Sequence, residues 1–211
     1  MTKPGIIFDM DGTLWDSAEG VVLSWTEIVH KEYDKERVIT TEDIQGVMGR
    51  TMDKIADALF PELSKEDRMS LLRKCCNYEN EYLRIHGGNL FPELEETLKA
   101  LQDEYDLYIV SNCQSGYIEA FLEYYGFGHY FKDIECYGNN DLPKSENIKL
   151  VVERNSLEKA VYVGDIQGDY DATMAAGLPF IHAAYGFGTI NCEVPKIACF
   201  KDLLNVVKEV F

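Results

Sequence analysis

The sequence predicts an α/β protein: a three-layer, Rossmann-like core on a parallel sheet, interrupted by a small inserted helical domain. Two observations carry that prediction. Short unbroken apolar runs at 6–8, 107–110 and 160–163 suit strands covered on both faces, and helical patterns alternate with them. Between the first run and the second, where one crossover helix would suffice, the stretch 16–90 is almost entirely helical in pattern and reads as a separate unit.

Taken in order, Ile6-Ile7-Phe8 forms the first strand and runs into Asp9-Met10-Asp11-Gly12-Thr13. Gly12 permits a sharp exit that leaves both carboxylates above the strand's carboxyl end, the edge at which open α/β sheets bind ligands. The insert then reads as helices over 21–33 (Trp25, Ile28 and Val29 on one side), 41–48, 52–60 and 65–83. It begins at Leu14-Trp15-Asp16-Ser17 and ends at His86-Gly87-Gly88, glycines that suit either a hinge or a plain helix stop. The division is therefore core 1–15 and 91–211, cap 16–90. The core continues as helix 93–102, strand 107–110, helix 116–125, strand 134–137, helix 145–154, strand 160–163, helix 168–176, strand 179–183 and helix 201–210. Right-handed crossovers between parallel strands give the three layers.

Composition bounds the function. With 211 residues, 46% hydrophobic, there is material for a core of about 140 residues plus a smaller insert. No apolar stretch of membrane-spanning length and no signal-peptide pattern is present, so the expected setting is the cytoplasm. The six cysteines (Cys75, Cys76, Cys113, Cys136, Cys192, Cys199) lack Cys-x-x-Cys spacing and neighbouring histidines, which argues for reduced thiols over zinc or disulfides. A net charge of −17 argues against nucleic acid and anionic membranes as partners. A monomer or weak homodimer is expected.

Four segments carry chemistry. Asp9 and Asp11 are close enough along the chain to share one Mg²⁺, yet differ enough in direction for one to attack phosphorus while the other handles a proton. Ser111-Asn112, at the end of the second strand, offers a hydroxyl and a carboxamide to phosphoryl oxygens without adding negative charge. Lys144, opening a helix after Asp141-Leu142-Pro143, offers an ammonium to the nucleophile and the transferring group. Gly164-Asp165-Ile166-Gln167-Gly168-Asp169 follows the strand at 160–163; Asp165 completes a carboxylate cluster around the metal, and Asp169 supports it from behind or through a water. Taken singly, each residue also fits a plain role: an Asx turn for the first pair, a helix cap for Ser111, a surface lysine for Lys144, first-turn acids for Asp165 and Asp169.

In order, spacing and strand-end context, the four segments resemble the haloacid dehalogenase superfamily of hydrolases, most closely its phosphoglycolate phosphatase branch with a small helical C1-type cap. The resemblance runs from Ile6 to Gly177. It implies that Asp9 forms an aspartyl-phosphate and that Asp11 protonates the leaving group and then activates water. It further implies that Asp9, the Asp11 carbonyl and Asp165 bind Mg²⁺, and that Ser111 and Lys144 position and neutralise the phosphoryl group. Ser145 and Ile166 depart from the usual pattern, in which Pro or Gly follows the lysine and Ser or Thr follows the Gly-Asp pair. The partner implied is a small phosphorylated metabolite, with 2-phosphoglycolate placed first. In the cap, Arg50 of Gly49-Arg50-Thr51 is the candidate to pair with a second anionic group; a solvated arginine after a helix-stop glycine is the plainer reading. A phosphomutase of the β-phosphoglucomutase type shares all four segments, but Val21 stands in the region of its usual cap histidine and Gly49 precedes Arg50, which favours hydrolysis. A receiver-like binding module uses similar residues but has no helical insert after its first strand.

Overall fold

The computed structural model describes residues 3–211. Its sheet has six strands, in spatial order Phe131–Cys136, Asp106–Ser111, Gly5–Phe8, Ala160–Gly164, Phe180–Ala183 and Lys196–Ile197, every neighbouring pair parallel. The first strand, β1 (Gly5–Phe8), is central and fully buried, and its alternation sorts the layers. Ile6 and Phe8 face one core cluster and Ile7 faces the other.

The insert follows as a two-residue strand β2 (Trp15–Asp16) and four helices, α1 (Ala18–Glu32), α2 (Thr41–Gln45), α3 (Met52–Leu59) and α4 (Lys65–His86). It has its own core, in which Val21, Trp25 and Val29 of α1 pack with Ile55 of α3 and Leu72 and Cys76 of α4. Local chemistry starts these helices where the pattern places them: Thr40 and Asp43 form a reciprocal capping box on α2, and the Ser64 hydroxyl accepts from the Asp67 N–H on α4. The chain returns through β3 (Asn89–Leu90), which pairs antiparallel with β2. This ribbon has no counterpart in the sequence reading, because two residues are too short to show a period. It clasps the expected hinge: Trp15 is buried, and the Tyr125 hydroxyl donates to the Gly88 carbonyl at 2.6 Å.

The core then runs through α5 (Leu94–Leu101), β4 (Asp106–Ser111), α6 (Tyr117–Tyr125), β5 (Phe131–Cys136), the single turn α7 (Tyr137–Asn140), α8 (Lys144–Arg154), β6 (Ala160–Gly164), α9 (Gln167–Ala176), β7 (Phe180–Ala183), β8 (Lys196–Ile197) and α10 (Leu203–Val210). Helices α5, α6 and α10 cover one face, while α8 and α9 cover the other. The strand expected at 134–137 begins earlier and the final helix begins later, after a 3₁₀ turn; β8 was not anticipated, again for its brevity. No described helix is long and apolar enough to cross a membrane. Because β1 lies between β4 and β6, the chain's reversal of direction across the sheet brings the carboxyl ends of these three strands together.

Candidate active site

At this edge Asp9 leaves β1 and Asp165 leaves β6, each 1% exposed, while Asp169 rises from the first turn of α9 fully buried. One carboxylate oxygen from each lies within 4.8 Å of the others. Lys144, at the start of α8 and 4% exposed, donates to Asp9 Oδ1 at 2.8 Å and Asp169 Oδ1 at 2.5 Å. The other Asp169 oxygen accepts from the N–H groups of Asp165 and Ile166, so this residue caps its helix while holding the lysine. Asp165 Oδ2 accepts from the Phe187 N–H at 2.7 Å.

The backbone around the acids is crowded. A Cβ on Gly12, where φ is +78°, would lie 2.1 Å from Asp165 Oδ2, and one on Gly186 would lie 2.4 Å from both Asp165 Cβ and the Gly12 carbonyl. These two glycines are required by close approach.

Burial, joined by the charge of Asp169, raises the Asp9 carboxyl from 3.8 to about 7 despite Lys144. The same two influences, with Asp9 added, raise Asp165 to about 8. Burial alone would depress Lys144; the pull of Asp169 and Asp9 overrides it, so its ammonium titrates well above its ordinary value. Three buried acids thus share one ammonium, and full ionisation leaves an excess of negative charge that the protein does not compensate. An all-oxygen donor set with surplus negative charge fits a hard divalent cation such as Mg²⁺.

The Asp11 carboxylate is not among the clustered acids; beyond the turn at Gly12 its Oδ1 accepts from the Tyr117 hydroxyl of α6 at 2.6 Å and from the Ser17 hydroxyl at 2.9 Å. Burial raises it to about 6 against these two bonds. The metal contact that the resemblance implies for this residue is through its backbone carbonyl, and the side chain stands apart from the three clustered acids. Asp169, expected behind the cluster, has an oxygen within it. Sequence reasoning missed Tyr117 and Ser17. Tyr117 lies far along the chain on another helix, with no local signal, whereas Ser17 read only as part of the link to the cap.

Ser111, 3% exposed, ends β4; it does not cap α6, whose start is at Gly116. Asn112 Nδ2 donates across to the cap at the Gly49 carbonyl, 2.9 Å, and its Oδ1 is buried without a partner. Arg50 is exposed beside this contact, with Nη2 donating to the Gly46 carbonyl at 2.8 Å. A cleft of about 590 Å³, lined by Arg50, Lys54, Asn112 and Lys144, leads from solvent to the lysine side.

Residues 6–183 match the family model described as haloacid dehalogenase-like hydrolase. A phosphoglycolate phosphatase of Shigella boydii is 27% identical over 210 residues, spanning 87% of this chain and 82% of that protein. Among solved structures, a haloacid dehalogenase-like hydrolase from Bacteroides fragilis superposes with a TM-score of 0.82 at 22% identity, over 96% of this chain and 100% of that one. A β-phosphoglucomutase from Clostridium difficile superposes at 0.72 and 17% identity, over 99% and 96%. Both structures share the fold.

Proposed function

Because this chain belongs to the haloacid dehalogenase-like hydrolase family, we propose that it is a Mg²⁺-dependent phosphomonoester hydrolase working through an aspartyl-phosphate on Asp9. The observation that carries the reading is the Lys144 ammonium bonded to Asp9 and Asp169, with Asp165 beside them, at the carboxyl ends of neighbouring strands. Asp9 and Asp165, with the Asp11 carbonyl that the family resemblance adds, would hold the metal, and Asp169 stands close enough to join them. When bound, Mg²⁺ offsets charge on the phosphoryl oxygens.

The residues then divide the work. An Asp9 oxygen attacks phosphorus, and the bond to the leaving oxygen breaks with its electron pair. Asp11, held by Tyr117 and Ser17, gives that oxygen a proton. Lys144 offsets the charge on Asp9 and the phosphoryl group, while Ser111 and Asn112 donate hydrogen bonds to it. Asp11, now ionised, takes a proton from water as the water attacks phosphorus, releasing phosphate and restoring Asp9.

The relatives' names make 2-phosphoglycolate the first substrate to test, with Arg50 as the cap residue to meet its carboxylate. The experiment is acid-quench trapping of labelled phosphoenzyme together with phosphate release. Asp9→Asn should lose both, by at least about 10³-fold in rate. Retained turnover in pure Asp9→Asn protein would remove Asp9 as nucleophile, and discharge of the phosphoenzyme to a sugar phosphate rather than water would make the protein a mutase.

A further inference from the structure

Between the cap and the core, on the Asp11 side, lies a second and smaller space of about 40 Å³, bounded by Asp11, Ser111 and Asn112 below and by α1–α4 above. That holds on the order of three water-sized groups. Its cap wall is apolar: Val21 and Trp25 from α1, Ile44 from α2, Val47 beyond it, Met52 and Ile55 from α3. Only Arg50 among the cavity's lining residues is a cation, and it is the exposed arginine whose Nη2 is taken by the Gly46 carbonyl. Lys144 is absent from this wall and is bound to Asp9 and Asp169 instead.

Glu79 reaches the same space from α4. It is 3% exposed, its Oε2 accepts from Trp25 Nε1 at 2.5 Å, and no ion pair among the described residues includes it. A buried carboxyl is costly, and one placed on the wall of a ligand-sized cavity marks a functional position. Nearby, Asn112 Oδ1 is a second acceptor, buried and without a partner, while one of its two amide N–H groups is committed to Gly49.

We infer that this cavity receives the leaving alcohol of the substrate, and that the alcohol is small, carries no negative charge and ends in a hydrogen-bond donor, a hydroxyl or an ammonium, accepted by Glu79. The inference rests on the phosphatase reading above. A leaving group ending in a carboxylate meets as countercharge only the exposed Arg50 guanidinium, against two carboxyls on the same walls, those of Asp11 and the buried Glu79, and beside Glu79 it finds none in either state: ionised it repels, and protonated it offers only a neutral hydrogen bond. A hydroxyl satisfies an open acceptor, and an ammonium supplies the missing positive charge.

Three two-carbon phosphomonoesters of matched length test this on the full chain with Mg²⁺: 2-phosphoglycolate, 2-hydroxyethyl phosphate and phosphoethanolamine, with p-nitrophenyl phosphate as the general reporter. At least one donor-terminated ester should exceed 2-phosphoglycolate in kcat/KM by tenfold or more, and which one does so separates hydroxyl from ammonium. In Glu79→Gln, which keeps the volume, that advantage should shrink at least threefold; an unchanged ratio would overturn the role of Glu79. The wild-type ranking decides the inference even if the variant folds poorly. Hydrolysis of p-nitrophenyl phosphate with 2-phosphoglycolate ranked first or equal, or with none of the three esters turned over, would overturn this inference alone. Failure of all four compounds would overturn the phosphatase reading and this inference with it.

Discussion

Lys144 shows how much one residue carries at this site, since among the described residues its ammonium is the only cation bonded to the cluster of Asp9, Asp165 and Asp169. Removing one partner of a buried ion pair leaves uncompensated charge, commonly costing about 3–5 kcal/mol. Lys144→Met should therefore abolish turnover and, in urea unfolding at pH 8, lose stability on that scale. The loss should shrink by pH 5.5, because Asp9, already raised to about 7 with the lysine present, then takes up a proton and needs no partner. A loss independent of pH would point to packing rather than charge. Tyr117 offers a subtler test. Its hydroxyl holds Asp11 at 2.6 Å, and its ring packs against Trp15 at 5.5 Å between centroids. Tyr117→Phe keeps the ring, so stability should fall by only about 1 kcal/mol. With the Asp11 carboxylate less firmly aimed, kcat should drop about tenfold while KM changes little, part of the general acid–base contribution. Equal kcat in the variant would show that Ser17 alone suffices to hold Asp11.

At the scale of elements, the turn after α2 is one of the close approaches between cap and core. Gly49 has φ +78°, its carbonyl accepts from Asn112, and a Cβ there would lie 2.5 Å from Ile166 Cδ1 at the start of α9. Gly49→Ala should cost about 1 kcal/mol in backbone strain and push the cap from Ile166, raising KM severalfold. Since the clash is with the far end of a flexible side chain, adding Ile166→Ala should restore most of the KM and none of the backbone strain. A double variant no better than the single would locate the effect in the backbone alone. The same contact marks the limit of what the sequence conveyed. Asp9, Asp165 and Lys144 were legible because each follows an apolar strand or opens a helix, and three strand ends of one parallel sheet must converge. Ile166 stood out only as a departure from the usual residue, and its partner in the cap is a glycine with no side chain to suggest contact. Glu79 was hidden for a related reason: within the long, polar α4 it reads as one solvated acid among many, and only the packing of α1 against α4 buries it under Trp25.

Across the whole molecule, a net charge of −17 would leave capture of an anionic substrate to local cations, Lys144 with Arg50 and Lys54 of the cleft, and to the proposed metal, so the state of the acid cluster should bear on both stability and activity. In the unfolded chain Asp9 and Asp165 ionise near 3.8; folded, they hold their protons to about 7 and about 8. The sign follows directly. Below 3.8 both states are protonated and there is no penalty. As pH rises, the unfolded chain ionises first, so the metal-free fold loses stability by up to about 1.4 kcal/mol per unit for each group, until each folded value is passed. On the proposed reading Mg²⁺ would bind the ionised cluster and have to displace those protons, so its affinity should rise over the same window and level off above about pH 8. A ligand at a hundred times its Kd adds about 2.7 kcal/mol. Thermal unfolding with Mg²⁺ or with chelator should therefore show a Tm increase of several degrees at pH 8.5 that falls to less than half at pH 6. Asp165→Asn should abolish the increase at both values, since it removes an acid whose folded value is about 8 and one of the cluster's oxygens. A Mg²⁺ shift of equal size at pH 6 and 8.5 would mean that the ion binds away from these carboxylates, because no group with a pKa in this range would then be giving up its proton to the metal.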